Sequence, residues 1–254
     1  MLETWKTMFW TRQTAPDPPR FGGRPLDVVR SARARSMRLS IDPRNRSVRL
    51  TLPARAALAP ALAWAETRRG WAETQLARLP QSQPILPDMR FMFAGTHCRL
   101  DWNPAYPRVP RLIDSTIRVG GPIETLPARV LRFLKAEAKT LLTAETRAVA
   151  GMARVTIATV GVGDPVSRWG SCSASGTIRY SWRLILAPTF VRQAIVAHEV
   201  AHRVHMHHGP AFHALAAQLT DGDPRAAHRW LKDHGAMLHG FGREWPIRGQ
   251  ECRE

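Results

Sequence analysis

The chain has 254 residues, 44% hydrophobic and 22% charged, which is ordinary for a globular protein and long enough for one large domain or two small ones. The net charge of +17 is not ordinary: it comes almost wholly from arginine, the only lysines being Lys6, Lys135, Lys139 and Lys232. The chain has no apolar stretch near the ~18 residues of a membrane span, and its start lacks the apolar core and small-residue cleavage site of a signal peptide.

Three cysteines at no recurring spacing, Cys98, Cys172 and Cys252, make no disulfide framework. A reducing compartment follows, and the cytoplasm is the expected location. The arginine surplus favours polyanions, so nucleic acid is a candidate partner through a basic surface. A solvated arginine-rich surface accounts for it equally well, because the basic residues form no single run.

Residues 1–24 read as a loose tail ending in "APDPPRFGGRP". Residues 25–122 read as a β-rich N-terminal region with one helix. Met37, Leu39 and Ile41 alternate, "DPRN" turns the chain, and Val48, Leu50 and Leu52 alternate again, which predicts a hairpin. "ARAALAPALAWAETRRGWAETQLARL" predicts a helix, interrupted near Pro60 and Gly70. "MRFMFAGTHCRLDW" and "PRLIDSTIRVGG" predict short strands, and no internal repeat shows.

A second domain is expected over 123–242, with a tail over 243–254. "LPARVLRFLKAEAKTLLTAETRAVAGM" predicts a long helix with Val130, Leu134, Leu141 and Leu142 near one face. "ARVTIATVG" predicts a strand, and "SRWGSC" and "TIRYSWRLILA" predict two more around the turn "SASG". Pro188 opens a helix that carries the histidines, and Asp223 and Pro224 open a final one. The class is α+β, ordered helix, short sheet, histidine helix, closing helix.

Residues 195–213, "IVAHEVAHRVHMHHGPAFH", hold six of the ten histidines. His198, Glu199 and His202 form H-E-x-x-H. On a helix, positions i and i+4 lie about 40° apart and one turn along the axis, so both imidazoles project from one face as two ligands of one zinc require. Glu199 points about 100° away, close enough to reach a water on the metal without entering the coordination sphere. Ile195, Val196 and Val200 make this a core helix, in which unpaired histidines and a glutamate would be costly without a metal. A catalytic zinc takes three protein ligands, and the third comes from His205, His207, His208 or His213. His208 is favoured because Gly209-Pro210 is expected to end the helix there and let the chain fold back.

"RWGSCSASGTIRYSWRLILAP" followed by "HEVAHRVHMHHGPAF" resembles the YgjP-like metallopeptidase domain, a relative of the SprT-type zinc proteases. The family pattern of RWGSC, a W-R-L pair, H-E-x-x-H, five residues and H-S-P-x-F implies His208 as third ligand. Gly209 replaces the usual Ser, and His213 an aromatic. The resemblance extends over about residues 25–240. It implies a small zincin-like fold with the cleft along the sheet's edge. It also implies zinc (Zn2+) as cofactor and hydrolysis of a peptide bond, with Glu199 as general base. Two alternatives carry the same metal site: a nucleotide (UTP) pyrophosphatase, and a DNA-associated protein-processing protease. The substrate is thus a peptide or a nucleotide.

Arg168, Arg179 and Arg183 lie on or beside the strands next to the expected cleft and are candidates to hold a phosphate or carboxylate. Tyr180 is a candidate donor to an oxyanion, and Asp221 and Asp223 are candidate orienters of a ligand histidine. Ser171 and Cys172 have no base placed by sequence to activate them. Trp169 and Trp182 read as core or cleft-wall aromatics. Nothing matches a phosphate-binding glycine loop.

Overall fold

The computed structural model describes residues 19–42, 46–77, 79 and 82–243. The tails at 1–18 and 244–254, with Cys252, lie outside the described residues, as does most of the "DPRN" turn. Contacts divide the chain into two compact units, 1–79 and 80–254.

The first unit holds strands β1 (Arg20–Phe21), β2 (Arg24–Ser31), β3 (Arg38–Asp42) and β4 (Ser47–Pro53), then helices α1 (Leu58–Glu66) and α2 (Arg69–Ala77). The strand order is β1-β2-β4-β3. The hairpin of β3 and β4 forms in the register that the alternation requires, with Leu39 opposite Leu50 and Ile41 opposite Val48. Val48, Leu50 and Leu52 share one face of β4 and are fully buried, as a period of two dictates. They pack in one core with Ala61, Ala65, Ala72 and Leu76 of the two helices. Asp27 and Arg49 stand opposite each other on β2 and β4 and form a half-exposed ion pair. The helical stretch breaks at Thr67–Arg68, between α1 and α2. Pro60 does not interrupt it, because it sits in the first turn of α1, where a missing N–H costs nothing.

The second unit begins with strands β5 (Arg90–Phe93), β6 (Thr96–Trp102), β7 (Arg111–Ile113) and β8 (Thr116–Val119), ordered β5-β6-β8-β7. A 28-residue helix α3 (Leu126–Ala153) follows. Strands β9 (Thr159–Gly163), β10 (Gly170–Cys172) and β11 (Thr177–Ser181) form a three-stranded sheet in the order β10-β11-β9. The chain closes with α4 (Thr189–Ala201), α5 (Pro210–Gln218) and α6 (Pro224–Gly240). The architecture is α+β: three small sheets and six α-helices among the described residues. None of those helices is long and apolar enough to cross a membrane.

Three features differ from expectation, each for a packing reason. A boundary was expected near residue 122, yet Phe91, Phe93, Leu100, Ile117 and Val119 of β5–β8 share one core with α3 and α4. The contacts accordingly divide the chain after residue 79. "TIRYSWRLILA" is not one strand: β11 ends at Ser181, and Trp182–Leu186 coil into a 3-10 turn whose five side chains are all buried. Gly209-Pro210 opens α5 rather than closing the histidine helix. Proline is as well suited to the first position of a helix as to the end of one.

Helix α3 buries Leu126, Val130, Leu134, Ala138, Leu142, Thr146 and Ala150, a stripe with a spacing of four. Each step of four drifts about 40° around the axis, so the stripe winds and meets several neighbours in turn. Helix α3 packs on α4, on β9 and on the 3-10 turn.

Candidate metal centre

Helix α4 is buried on nearly every side. Val191, Ala194, Val196, Ala197, Val200 and Ala201 fill the core, and Arg192 is buried beside them in an ion pair with Glu145. Such an all-round apolar helix is held rigidly by its neighbours, which fixes whatever its one open face presents. That face carries His198 and Glu199.

The helix ends at Ala201 with His202 as its C-cap. The chain then turns back through residues 203–208 to Gly209, the N-cap of α5. This return brings His208 beside the other two, with ring centroids 5.1 Å from His198 and 4.7 Å from His202. The rings of His198 and His202 are 5.0 Å apart. One ligand nitrogen from each of the three lies within 4.8 Å of the others. The Nε2 atoms of His198 and His208 stand 3.2 Å apart. Tetrahedral zinc with bonds of 2.0–2.1 Å would hold its nitrogens about 3.3–3.4 Å apart, so the pair is already at the spacing a metal requires. Phe212 of α5, fully buried, lies under all three rings at 4.6 to 4.9 Å.

The protonation states agree with a ligand set. Burial, helped by the neighbouring imidazoles, pushes the pKa of His198 down to about 4. Burial also lowers His202, with the carbonyl of His205 working in the opposite sense. Both rings are then neutral at neutral pH, as metal ligation requires. The Nδ1 of His202 donates to that carbonyl at 3.1 Å, which leaves its Nε2 lone pair for the metal, a common orienting bond for a ligand histidine. His205 therefore contributes its backbone and not its ring. His207 is exposed and stands outside the cluster, as does His213, whose ring is 6.3 Å from that of His208.

Glu199 is 5% exposed and its carboxylate makes no hydrogen bond to any described residue. Burial pushes its pKa up to about 7, with the Arg168 charge pulling the other way. Its place is made by Gly170 of β10: a Cβ there would lie 2.7 Å from both Cγ and Cδ of Glu199. The preceding residue, Trp169, stacks on His239 of α6 at 4.7 Å and lies against Gly235, where a Cβ would meet the indole at 2.8 Å. The stretch Arg168-Trp169-Gly170 thus has three separate duties: a charge near Glu199, an anchor on α6, and a space for the carboxylate. A cavity of about 400 Å³ opens onto this group, lined by His198, Glu199, Arg168, Trp169, His228 and Lys232 among others.

Two expected substrate residues stand elsewhere. The Tyr180 side chain is buried, with its hydroxyl 3.0 Å from that of Thr146, and burial raises its pKa. Arg183 is 2% exposed. Its guanidinium donates to Asp164 and to the carbonyls of Leu238 and Phe241, tying the end of α6 to the sheet. Neither lines the cavity, because the core claims both polar groups. Asp223 is the N-cap of α6, accepting from the Arg225 N–H at 2.8 Å, and no bond runs from it to a ligand histidine. Burial raises the Cys172 thiol, which disfavours the thiolate a nucleophile needs. Trp182 is buried in the core.

His228 and Lys232 were missed from sequence. They are four residues apart on α6 and so share a face. Nothing in the local sequence says that this face meets α4.

No curated protein and no solved structure matches the chain. The model of the YgjP-like metallopeptidase domain matches residues 35–234, a span that includes every residue of the histidine cluster, Glu199 and the Arg168-Trp169-Gly170 stretch. The chain belongs to the YgjP-like metallopeptidase family.

Proposed function

We propose that the protein is a zinc-dependent peptidase of small zincin-like architecture, with His198, His202 and His208 as zinc ligands and Glu199 as general base. The observation that carries this reading is the return of His208 onto the open face of α4, which completes a three-nitrogen cluster beside a buried carboxylate. Three nitrogen donors and an adjoining cavity match a catalytic site, which leaves one coordination position open, better than a closed structural one.

Zinc held there would supply Lewis acidity, lowering the pKa of water and polarising the scissile carbonyl. The protein's own groups do the rest. Glu199, with a pKa pushed up to about 7, is matched to taking a proton at neutral pH and returning it to the leaving amine. Gly170 keeps its carboxylate free to move between those two positions. Phe212 and the buried side of α4 hold the ligand rings and exclude water behind them. Strand β10 is at the edge of its sheet and packs on α4. An extended peptide added along that edge would lie across the cluster.

The test is Glu199→Gln in zinc-loaded protein. Bound zinc is expected to stay at the wild-type ratio while turnover of an unstructured protein substrate falls about 10²- to 10⁴-fold. A Gln variant with a near-normal rate overturns the role of Glu199. A second reading, nucleotide pyrophosphate hydrolysis at the same site, draws on the basic side chains that line the cavity. Pyrophosphate release from UTP, measured on the same two preparations, separates the two: a rate lost in the Gln variant moves the assignment to nucleotides.

A further inference from the structure

The cavity beside Glu199 has a lopsided charge. Arg168, two residues ahead of β10, and Lys232 of α6 both line it and both are exposed. Neither forms an ion pair with a described carboxylate. His228 lines the same cavity one helical turn before Lys232, and its ring is 5.9 Å from that of His198. That separation exceeds the 4.7 to 5.1 Å among the three clustered rings, and His228 stands outside the cluster. It faces the space a substrate would fill. Against these basic groups the lining holds a single carboxylate, that of Glu199.

Elsewhere in this unit, cations that meet the interior are neutralised. Arg183 is paired with Asp164 and Arg192 with Glu145. Here two permanent cations and a ring donor line open space with no ion pair to a described carboxylate, the Arg168 charge reaching Glu199 only at longer range. A guanidinium and an ammonium so placed are suited to an anionic oxygen group, the first through paired N–H donors and the second as a point charge.

We propose that this lining is a substrate-anchoring subsite, in which Arg168 and Lys232, with His228 beside them, hold an anionic group of the substrate next to the bond that is cut. The chemistry recognised is a carboxylate or a phosphoryl group. On the peptidase reading, on which the proposal rests, it is the side chain of an acidic residue flanking the scissile bond. The subsite would then make the enzyme selective for acidic sequences and poor on basic ones.

The experiment is a binding measurement, so it does not depend on turnover. Zinc-loaded protein is titrated calorimetrically with four alkyl thiols of equal chain length, ending in carboxylate, phosphonate, amide or ammonium. The thiolate engages the metal in every case and the tail reads the wall. The carboxylate or the phosphonate should bind about tenfold or more tighter than the amide, the usual worth of a hydrogen bond to a charged group. The ammonium should bind weakest. Arg168→Glu with Lys232→Glu, both at exposed positions, should reverse that order while zinc content is unchanged. A preference for the carboxylate tail points to acidic peptides as the source of the group, and one for the phosphonate to phosphate esters.

Equal affinity for charged and amide tails, or an order that survives the double reversal, overturns the subsite. No affinity for any of the four overturns it together with the zinc site. Failure of the peptidase reading is seen separately: zinc-loaded wild type would then cut no peptide faster than Glu199→Gln, whatever the thiol affinities.

Discussion

The two units contain the same small sheet. In the first the order is β1-β2-β4-β3 and in the second β5-β6-β8-β7. In each the two inner strands run parallel and each outer strand is antiparallel to its neighbour. What differs is the chemistry of the core each unit builds. The first unit packs its strands on a wholly apolar core of Phe21, Val48 and several leucines, with Ala61, Ala65, Ala72 and Leu76 supplied by its helices. The second buries Thr146, Ser181, Arg183, Arg192 and Glu199 besides the Tyr180 hydroxyl, and the described residues of the first bury no such side chain. It also holds all ten histidines. A buried charge without a partner is expensive, and Arg183 and Arg192 have partners. Glu199 alone forms no ion pair with a described residue. The same sheet topology thus recurs in both units, but the chemical site is built apart from it, where α4 packs on β10 of the three-stranded sheet, and it is found where the burial rules are broken.

The contrast can be broken at its sharpest point by Gly170→Ala. The added Cβ would collide with Glu199, so on the proposed role turnover should fall about 10²- to 10⁴-fold, as for Glu199→Gln, with zinc content intact. A fully active Ala variant would mean that Glu199 has room the structure does not show. At the scaffold end, Leu50→Ala in the fully buried core of the first unit should cost about 2–5 kcal/mol of stability. It should leave zinc affinity unchanged, measured by competition with a chromophoric chelator. A shift in that affinity would show that the first unit supports the metal centre.

Acid should separate the units next. Burial, reinforced by the Arg183 and Arg243 charges, pushes the pKa of His239 down to about 4. Its unfolded value is near 6.5. The folded state therefore binds fewer protons, and the stability from keeping His239 neutral is complete above pH ~6.5 and lost as pH falls toward 4. Metal-free protein should show this acid limb in the second unit by hydrogen exchange. The first unit, which has no histidine, should lack it. His239→Phe, which keeps an aromatic against Trp169, should shrink the limb to the part that His198, likewise held down to about 4 by burial, contributes. The smallest effect belongs to the cap of α6: Asp223→Ala, which removes the acceptor for the Arg225 N–H, should lower the melting temperature only slightly. It should leave both zinc content and turnover of metal-loaded protein at wild-type levels.

Local chemistry makes much of this molecule legible in the order of its residues. The hairpin of β3 and β4 follows from strict alternation, α3 from its composition and length, and the entry to α6 from Asp223-Pro224. The pairing of His198 with His202 follows from helical geometry alone, because four residues are always about one turn. What local chemistry does not supply is direction. Gly209-Pro210 reads equally as a helix end or a helix start. Only the packing of Phe212 beneath the rings shows the second, by which His208 returns to the other two histidines. Tyr180 and Arg183 are polar residues beside the site in sequence, yet both are claimed by the core.

The sequence by itself determined the family, the class and the two histidines that share one helical turn, since each is written within a few consecutive residues. The tertiary structure alone decided what faces the cavity. It turned Tyr180 and Arg183 inward and brought His228 and Lys232 to the cavity from α6. It also gave Gly170 its purpose, a gap in β10 filled by a carboxylate from a helix 29 residues further along the chain. Contacts between elements distant in sequence are set by how buried faces fit together, and no local pattern records that fit.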